Sequence, residues 1–357
     1  MSYRYPGPST AAPGRISLAT SGGSTPEGRA GYPHLLTAVV ASPAPLAAGL
    51  DALAGIARRR FTDPRPVACA DPIVVSDGTG LRFEALSACG GVYARLDLPA
   101  PRIEHAAKGT TSVELGAGVR DALGGLGEGP VRLQVGGEPA GEPAWEPVER
   151  EIELPPAWLD GFGLAQLAAA GMKVRATLDR AGTRRFLRAL PSTGAGTPGW
   201  VVPAGRGLEL SGRPGREAVC LAGPERLRVL QRLAPLATGL RVAGPEPGRD
   251  AVHGRPGAWL LEMDGARLTV MLSAGVRAGF AAERGVAVAS SGDAARVSAL
   301  LAWEPCIDPA GVAATAGMRP AQVEAALARL GRTGRTGYDI VLGAWFHRGL
   351  AFRPPVP

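Results

Sequence analysis

Leu50–Arg60, LDALAGIARRR, and Asp77–Leu98, DGTGLRFEALSACGGVYARLDL, decide how this chain is read. The first belongs to a longer run, Pro45–Arg60. It sets Leu46, Leu50, Leu53 and Ile56–Ala57 at helical spacing and ends in bases that suit the negative pole of a helix. The second alternates apolar and polar residues after the turn residues SDGTG, so it predicts paired strands. The apolar run LLTAVVA, residues 35–41, predicts a strand ahead of the helix. The unit is strand, helix, strand, strand.

Along the rest of the chain the same order recurs about four times in all, with helices starting near residues 46, 117, 180 and 224. TTSVEL, GAGVRDALGGL, PVRLQV and EREIEL supply strand, helix, strand, strand. KVRATL, DRAGTRRFLRAL and the pair within GWVVPAGRGLELS supply another copy. EAVCLAG, PERLRVLQRLAPL, GLRVAG and the hairpin AWLLEMDGARLTVML, turning at Asp264–Gly265, supply the last. PAWLDGFGLAQLAAAG is a further helix, ending at Gly171. The first 30 residues read as loop, apart from a short strand at RISLAT. This order resembles the sliding clamps of DNA replication, in which sheets lie outside and helices face an enclosed duplex. The fold class expected is α+β: repeated β-α-β-β units, clamp-like, followed by a C-terminal winged helix. The expected domains are 1–165 with two units, 166–290 with two more, and 293–357.

From Asp293 the pattern turns helical. DAARVSALLAW puts Val297, Leu300 and Leu301 on one face. DPAGVAATAG has Asp308 as N-cap, Pro309 at the first helical position and Gly317 as its stop. RPAQVEAALARLG aligns Val323, Ala326, Leu327 and Leu330. Two short helices with a Gly between them, then GRTGYDIVLGAWFHRGLAF as a β-wing, read as a winged helix.

The net charge is +7 with a pI near 9.7. The cations are almost all arginine, with lysine only at 108 and 173. Arginine forks suit phosphate, but a chain this rich in Ala, Gly, Pro and Arg has the composition of a GC-rich genome, so that preference weighs little. Position weighs more. Arg58, Arg59, Arg60, Arg120, Arg180, Arg184, Arg185, Arg188, Arg226, Arg228 and Arg232 lie on or beside the four helices, near few acids. Such a layer suits tracking of phosphates without base reading; the alternative is solvated helix faces. In the C-terminal part, Arg319, Gln322 and Arg329 fall on the third helix and Arg332 and Arg335 near the wing. From Asp293 onward seven arginines face five acids, a net of only +2, so DNA and protein contact stay equally open there.

No catalytic motif is found: no HExxH, Walker A loop, GxSxG or zinc-ligand set. GAGVRD at Gly116 lacks the third glycine of a dinucleotide fingerprint. Glu104–His105 reads as a solvent-facing loop pair, His347 as a packed wing residue, and His34 and His253 as loop residues without partners. Cys69, Cys89, Cys220 and Cys306 are scattered and read as buried free thiols. The chain is 45% hydrophobic and 20% charged, with no apolar run of about 18 residues. No secretory leader is found in MSYRYPGPSTAAPGRISLATSGG. A non-enzymatic, cytoplasmic protein with no membrane contact is expected.

ALARLGRTGRTGYDIVLGAWFHRGLAF resembles a segment of actinobacterial SWIM zinc finger family proteins, in which a winged-helix-like region runs through Gly-Tyr-Asp to Phe-His-Arg just before the finger. YRYPGPS, SLATSGG, LRFEALSACGGVYARLDL, WVVPAGRGLELS, AVCLAGPERL and LLAWEPCID are similar too, so the resemblance spans nearly the whole chain. It implies a role at DNA or protein. The family's zinc finger, CxCxnCxH, would follow FHRGLAF, where RPPVP stands instead. No residue matches a finger ligand, so neither zinc nor any other cofactor is assigned; a shortened relative, a truncated or frameshifted gene, and a chain from which the finger was left out all stay open. The expected function is a nucleic-acid-associated adaptor with duplex DNA as partner; the alternative is a scaffold that docks other proteins through its sheets and winged helix.

Overall fold

The computed structural model describes residues 2–59, 61, 71–99, 102–137, 146–151, 156–192, 198–205, 207–213, 215, 217–246, 255–275, 279–282 and 290–350. Arg60, Cys69 and His253, singled out above, lie outside them, as does the side chain of Cys220. The structure is mixed α+β, with large sheets and several helices.

Seven α-helices are described: α1 (Pro43–Ala57), α2 (Ala117–Gly124), α3 (Pro156–Ala170), α4 (Arg180–Ala189), α5 (Ser291–Leu300), α6 (Pro309–Ala316) and α7 (Pro320–Arg332). The fourth repeat's helix, Pro224–Leu233, is instead a 3-10 helix. Its sequence explains this. Leu227, Leu230 and Leu233 recur every third residue and are all buried, and three residues per turn puts them on one face.

The centre is an antiparallel sheet of ten strands. In spatial order they are Lys173–Asp179, Ala237–Gly244, Gly257–Met263, Ala266–Leu272, Val92–Pro99, Gly80–Leu86, Ile73–Asp77, Lys108–Ser112, Gly23–Thr25 and Gly28–Ala30. The Leu268–Leu96 and Val270–Ala94 pairings join its two halves. The turns follow the sequence. Asp77 Oδ1 accepts from the Thr79 and Gly80 amides at 2.8 and 3.1 Å, with Gly78 at φ +86°. Gly265 takes φ +66° in the hairpin turn.

Strand alternation divides this sheet between two cores. Trp259, Leu261, Leu268, Val270 and Leu272 face one core, with Leu46, Leu50 and Leu53 of α1, Val119 of α2, Phe186 of α4 and Leu227 of the 3-10 helix. Ala258, Leu260 and Met271 face the other, with α3 and α5–α7. Each fully buried Leu contributes about 1.5–3 kcal/mol by area. Gly49 lets α1 lie close on the sheet, since a Cβ there would stand 2.6 Å from Leu96 Cδ1.

A second sheet, Arg102–Ala106, Leu36–Val40, Val131–Val135, Arg15–Leu18 and Thr10–Ala12, closes the first core beside α2. Gly207–Ser211, Pro198–Ala204 and Val219–Ala222 form a three-stranded sheet. Two sequence expectations are corrected here. The first 30 residues are not loop around one strand. They hold five short strands, Ser2–Tyr5, Thr10–Ala12, Arg15–Leu18, Gly23–Thr25 and Gly28–Ala30. Ser2–Tyr5 pairs with the distant Val148–Glu151 and Arg15–Leu18 with Val131–Val135, while Thr10–Ala12 pairs with Arg15–Leu18 and Gly23–Thr25 with Gly28–Ala30 close by. Gly23 sits so near the Thr110 carbonyl that a Cβ would lie 2.5 Å away, and this glycine, which reads as loop, marks a close strand approach. Likewise Glu104–His105 lies on the strand Arg102–Ala106, not in a loop.

At the C-terminal end α5, α6 and α7 pack together, followed by an antiparallel hairpin, Thr336–Asp339 with Ala344–His347. Asp308 caps α6 as its sequence predicts, accepting from the Ala310 and Gly311 amides at 3.0 Å each, and Gly317 stops it at φ +63°. Among the described residues, no helix is long and apolar enough to cross a membrane.

Candidate nucleic-acid interface

α1, α2, α4 and the 3-10 helix lie in one layer, joined by α1–α2, α1–3-10 and α4–3-10 contacts. The arginines predicted on this layer divide into two groups. Arg59, Arg180, Arg185, Arg188, Arg228 and Arg232 are exposed. Arg58, Arg120, Arg184 and Arg226 are held by the fold. Arg58 donates to the Leu115 carbonyl at 2.7 Å and Arg184 to those of Ala234 and Pro235 at 3.2 and 2.7 Å. Arg120 grips Asp51 Oδ1 through Nε and Nη2, at 2.9 and 2.7 Å. Arg226 is 1% exposed and donates to the Gly91 and Ser273 carbonyls; burial pushes its guanidinium down to about 10. The braces use the long arginine stem to tie helix ends to neighbouring backbone, a use that one-dimensional spacing does not distinguish from display.

Three of the exposed group stand at a cleft of ≈ 510 Å³ between α1, α2 and the 3-10 helix. Arg59, Arg228 and Arg232 line it, and the Arg120–Asp51 pair forms one wall. Arg228 is steadied by Gln231 Oε1 and the Ser192 carbonyl, both at 3.1 Å. Ala48, Ala52, Gly55, Phe61 and Val229 supply apolar lining.

The second set of candidates lies elsewhere. α7 is packed between α3 and α5. Gly163 of α3 approaches the C-terminal end of α7 so closely that a Cβ would fall 2.1 Å from the Arg332 carbonyl oxygen. Gln322 is engaged with its own helix: its Oε1 accepts from the Arg319 amide at 3.1 Å and from Arg319 Nε at 3.2 Å. Arg329 and Arg332 are half-buried, while exposed Arg335 donates to Ser298 Oγ at 3.3 Å. Glu324 accepts from Trp345 Nε1 at 3.0 Å.

Sequence spacing did not reveal a charged cluster beneath the hairpin. Arg82, Glu84, Arg95, Asp97 and Arg267 point from the sheet toward it. Arg95 Nη2 and Arg267 Nη2 donate to Asp339 Oδ2 at 2.7 and 2.9 Å. Arg267 also donates to Asp97 Oδ2 at 3.0 Å, and Arg82 to Asp77 Oδ2 at 2.5 Å. Arg348 pairs with Glu84, both fully buried. The Phe346 ring lies under Arg82 and Arg95, at 4.5 and 5.4 Å. The available signal was alternation: Arg82 and Glu84, and Arg95 and Asp97, occupy every second position of otherwise apolar strands. That face reads as solvated; the C-terminal elements cover it.

The remaining candidates behave as structural groups. His347 Nδ1 accepts from the Trp303 amide at 2.7 Å, and burial lowers the imidazole to about 4. His34 is not without a partner: Nε2 lies 2.8 Å from Thr37 Oγ1 and its ring stacks on His105 at 4.4 Å. Of the cysteines expected to be buried, Cys89 is half-buried and Cys306 exposed, because both fall in loops beside strand and helix ends. Among the described residues no group of three His, Cys, Asp or Glu side chains is placed to hold a metal ion.

No protein-family model matches the chain, and no curated protein matches it. Among solved structures the chain is similar to a Proliferating Cellular Nuclear Antigen from Entamoeba histolytica, at 9% identity and a TM-score of 0.39. The match covers 68% of this chain and 99% of that one. A superposition that loose identifies neither a fold family nor a function.

Proposed function

We propose that this chain is a non-enzymatic adaptor that holds nucleic acid by its phosphate backbone, through the helical layer rather than through α7. The reading is supported chiefly by one observation. Four helices from separate parts of the sequence share one face of the sheet, and that face displays Arg59, Arg180, Arg185, Arg188, Arg228 and Arg232. Exposed arginines set on rigid helices suit phosphate without reading bases. The layout is clamp-like, and the three helices and hairpin at the C-terminal end are a winged helix serving as a docking module. The segments that resemble SWIM zinc finger family proteins support the same reading.

The test is fluorescence anisotropy of a labelled duplex across a salt series. With four or five phosphates neutralised, log K falls against log salt with a slope of about −4. Arg228→Ala with Arg232→Ala reduces that slope by about 2. A flat salt response, or no binding at low salt, overturns the reading.

A protein-docking scaffold is the second reading. It is favoured by Leu342, 59% exposed at the turn of the C-terminal hairpin. Partners retained from native lysate after nuclease treatment, and lost with Leu342→Ser, would favour it over the first.

A further inference from the structure

We propose that the cleft between α1, α2 and the 3-10 helix is a binding pocket for a single nucleoside phosphate. This goes beyond backbone tracking, although it uses some of the same arginines. Three observations carry it.

The first is shape. At ≈ 510 Å³ the cleft falls within the range of small-molecule sites, roughly 300–1,000 Å³. A phosphate track alone calls for a basic surface, not a concave volume of this size.

The second is the division of its lining. Ala48, Ala52 and Gly55 form one stripe of α1, and Phe61 and Val229 add apolar surface. Arg59, Arg228 and Arg232 add cations. An apolar and aromatic wall beside a group of guanidinium forks matches a ligand that is flat and apolar at one end and anionic at the other. A nucleobase against the α1 stripe and Phe61, with its 5′-phosphate on the arginines, meets both. Inorganic phosphate uses only the second half. Glu225 lines the same cleft, and one of its carboxylate oxygens has no hydrogen-bond partner among the described residues. It is suited to accept from an exocyclic amine or a ribose hydroxyl.

The third is Gly55. It lies inside α1, and among the described residues no atom beyond its own helix lies within 4 Å of the place a Cβ would occupy. A helix that packs its other faces tightly leaves bare backbone toward this opening. Every other wall position on α1 bears a small side chain or Asp51, which Arg120 draws aside.

The experiment is calorimetric titration of the full chain with AMP, GMP, CMP, UMP and inorganic phosphate, beside the duplex measurement. At least one nucleotide binds tenfold or more tightly than inorganic phosphate. Gly55→Leu, which grows a side chain into the cleft without removing charge, weakens that nucleotide at least tenfold and leaves duplex affinity within about twofold. Arg232→Glu, an exposed substitution compatible with folding, weakens nucleotide and duplex together. Equal weak binding of all four nucleotides and phosphate overturns the inference, as does unchanged nucleotide affinity in a folded Gly55→Leu protein. Loss of duplex binding in the unmodified chain, with nucleotide binding kept, strikes the adaptor reading alone.

Discussion

Arg348 at the end of the C-terminal hairpin and Glu84 in the middle of the ten-stranded sheet form an ion pair in which both side chains are wholly buried. They are 264 residues apart. The pair brings the last described elements onto the sheet's second face, where Arg348 also stands 5.0 Å over the Phe162 ring and donates to the Thr336 carbonyl. Two opposite charges are stable here because each is the other's main neutraliser.

Removing one member therefore exposes the other to an apolar surrounding. Arg348→Met costs about 3–5 kcal/mol in denaturant unfolding. Glu84→Leu combined with Arg348→Met costs less than the sum of the two single changes, and a double-mutant cycle reads the difference. Additive costs would show that the two side chains do not interact.

Asp339 gives the same junction a dependence on acid. Burial opposes its ionisation, but Arg95, Arg267 and the Leu342 and Val341 amides outweigh it and hold the carboxyl at about 2. That lies below the ordinary aspartate value of about 3.9. The stability tied to ionised Asp339, about 2 kcal/mol, is complete above pH ~4 and is lost as pH falls toward 2. Asp339→Asn removes this part of the acid slope while lowering stability at neutral pH.

His347 acts in a higher window. Its folded pKa of about 4 lies below the ordinary 6.5, because burial outweighs the pull of Glu304, with Arg335 and Lys108 adding to the shift. The unfolded chain takes up the proton first as pH falls. Stability linked to neutral His347 is thus complete above pH ~6.5 and declines toward pH 4. Protonation at Nδ1 also removes the acceptor for Trp303 N–H. NMR titration of the ring, and a flatter stability profile in His347→Gln, test this.

Two glycines in helices carry opposite expectations. Gly55→Ala, in open space on α1, stabilises by about 0.5–1 kcal/mol through helix propensity. Gly163→Ala, whose Cβ would meet the Arg332 carbonyl at 2.1 Å, forces α3 and α7 apart and costs about 1–3 kcal/mol. Paired thermal melts separate the two.

The sequence made the elements legible where local chemistry is strong. The α1 periodicity, the turns at Gly78 and Gly265, and the Asp308–Pro309 start of α6 each contain their own explanation. Apart from Arg15–Leu18, which RISLAT announces, the N-terminal strands were not legible, since a strand of three or four residues is held by its pairing, close by at Thr10–Ala12 and far along the chain at Ser2–Tyr5. The candidate surface was half legible. Arginine positions on helices can be read, but whether a guanidinium reaches solvent, as at Arg232, or a neighbouring carbonyl, as at Arg184, depends on packing. The Arg82–Glu84 and Arg95–Asp97 alternations were visible, yet only the covering hairpin turns them from surface into junction.

Leu260 and Leu261 sit side by side on one strand and belong to different cores. Point changes at either are free to drift without consulting the other. A single-codon insertion or deletion between Gly257 and Met263 is another matter: it would turn the strand over and hand each core its neighbour's side chains. In natural variants of this gene, length changes should collect in the connecting loops and stay out of the central strands.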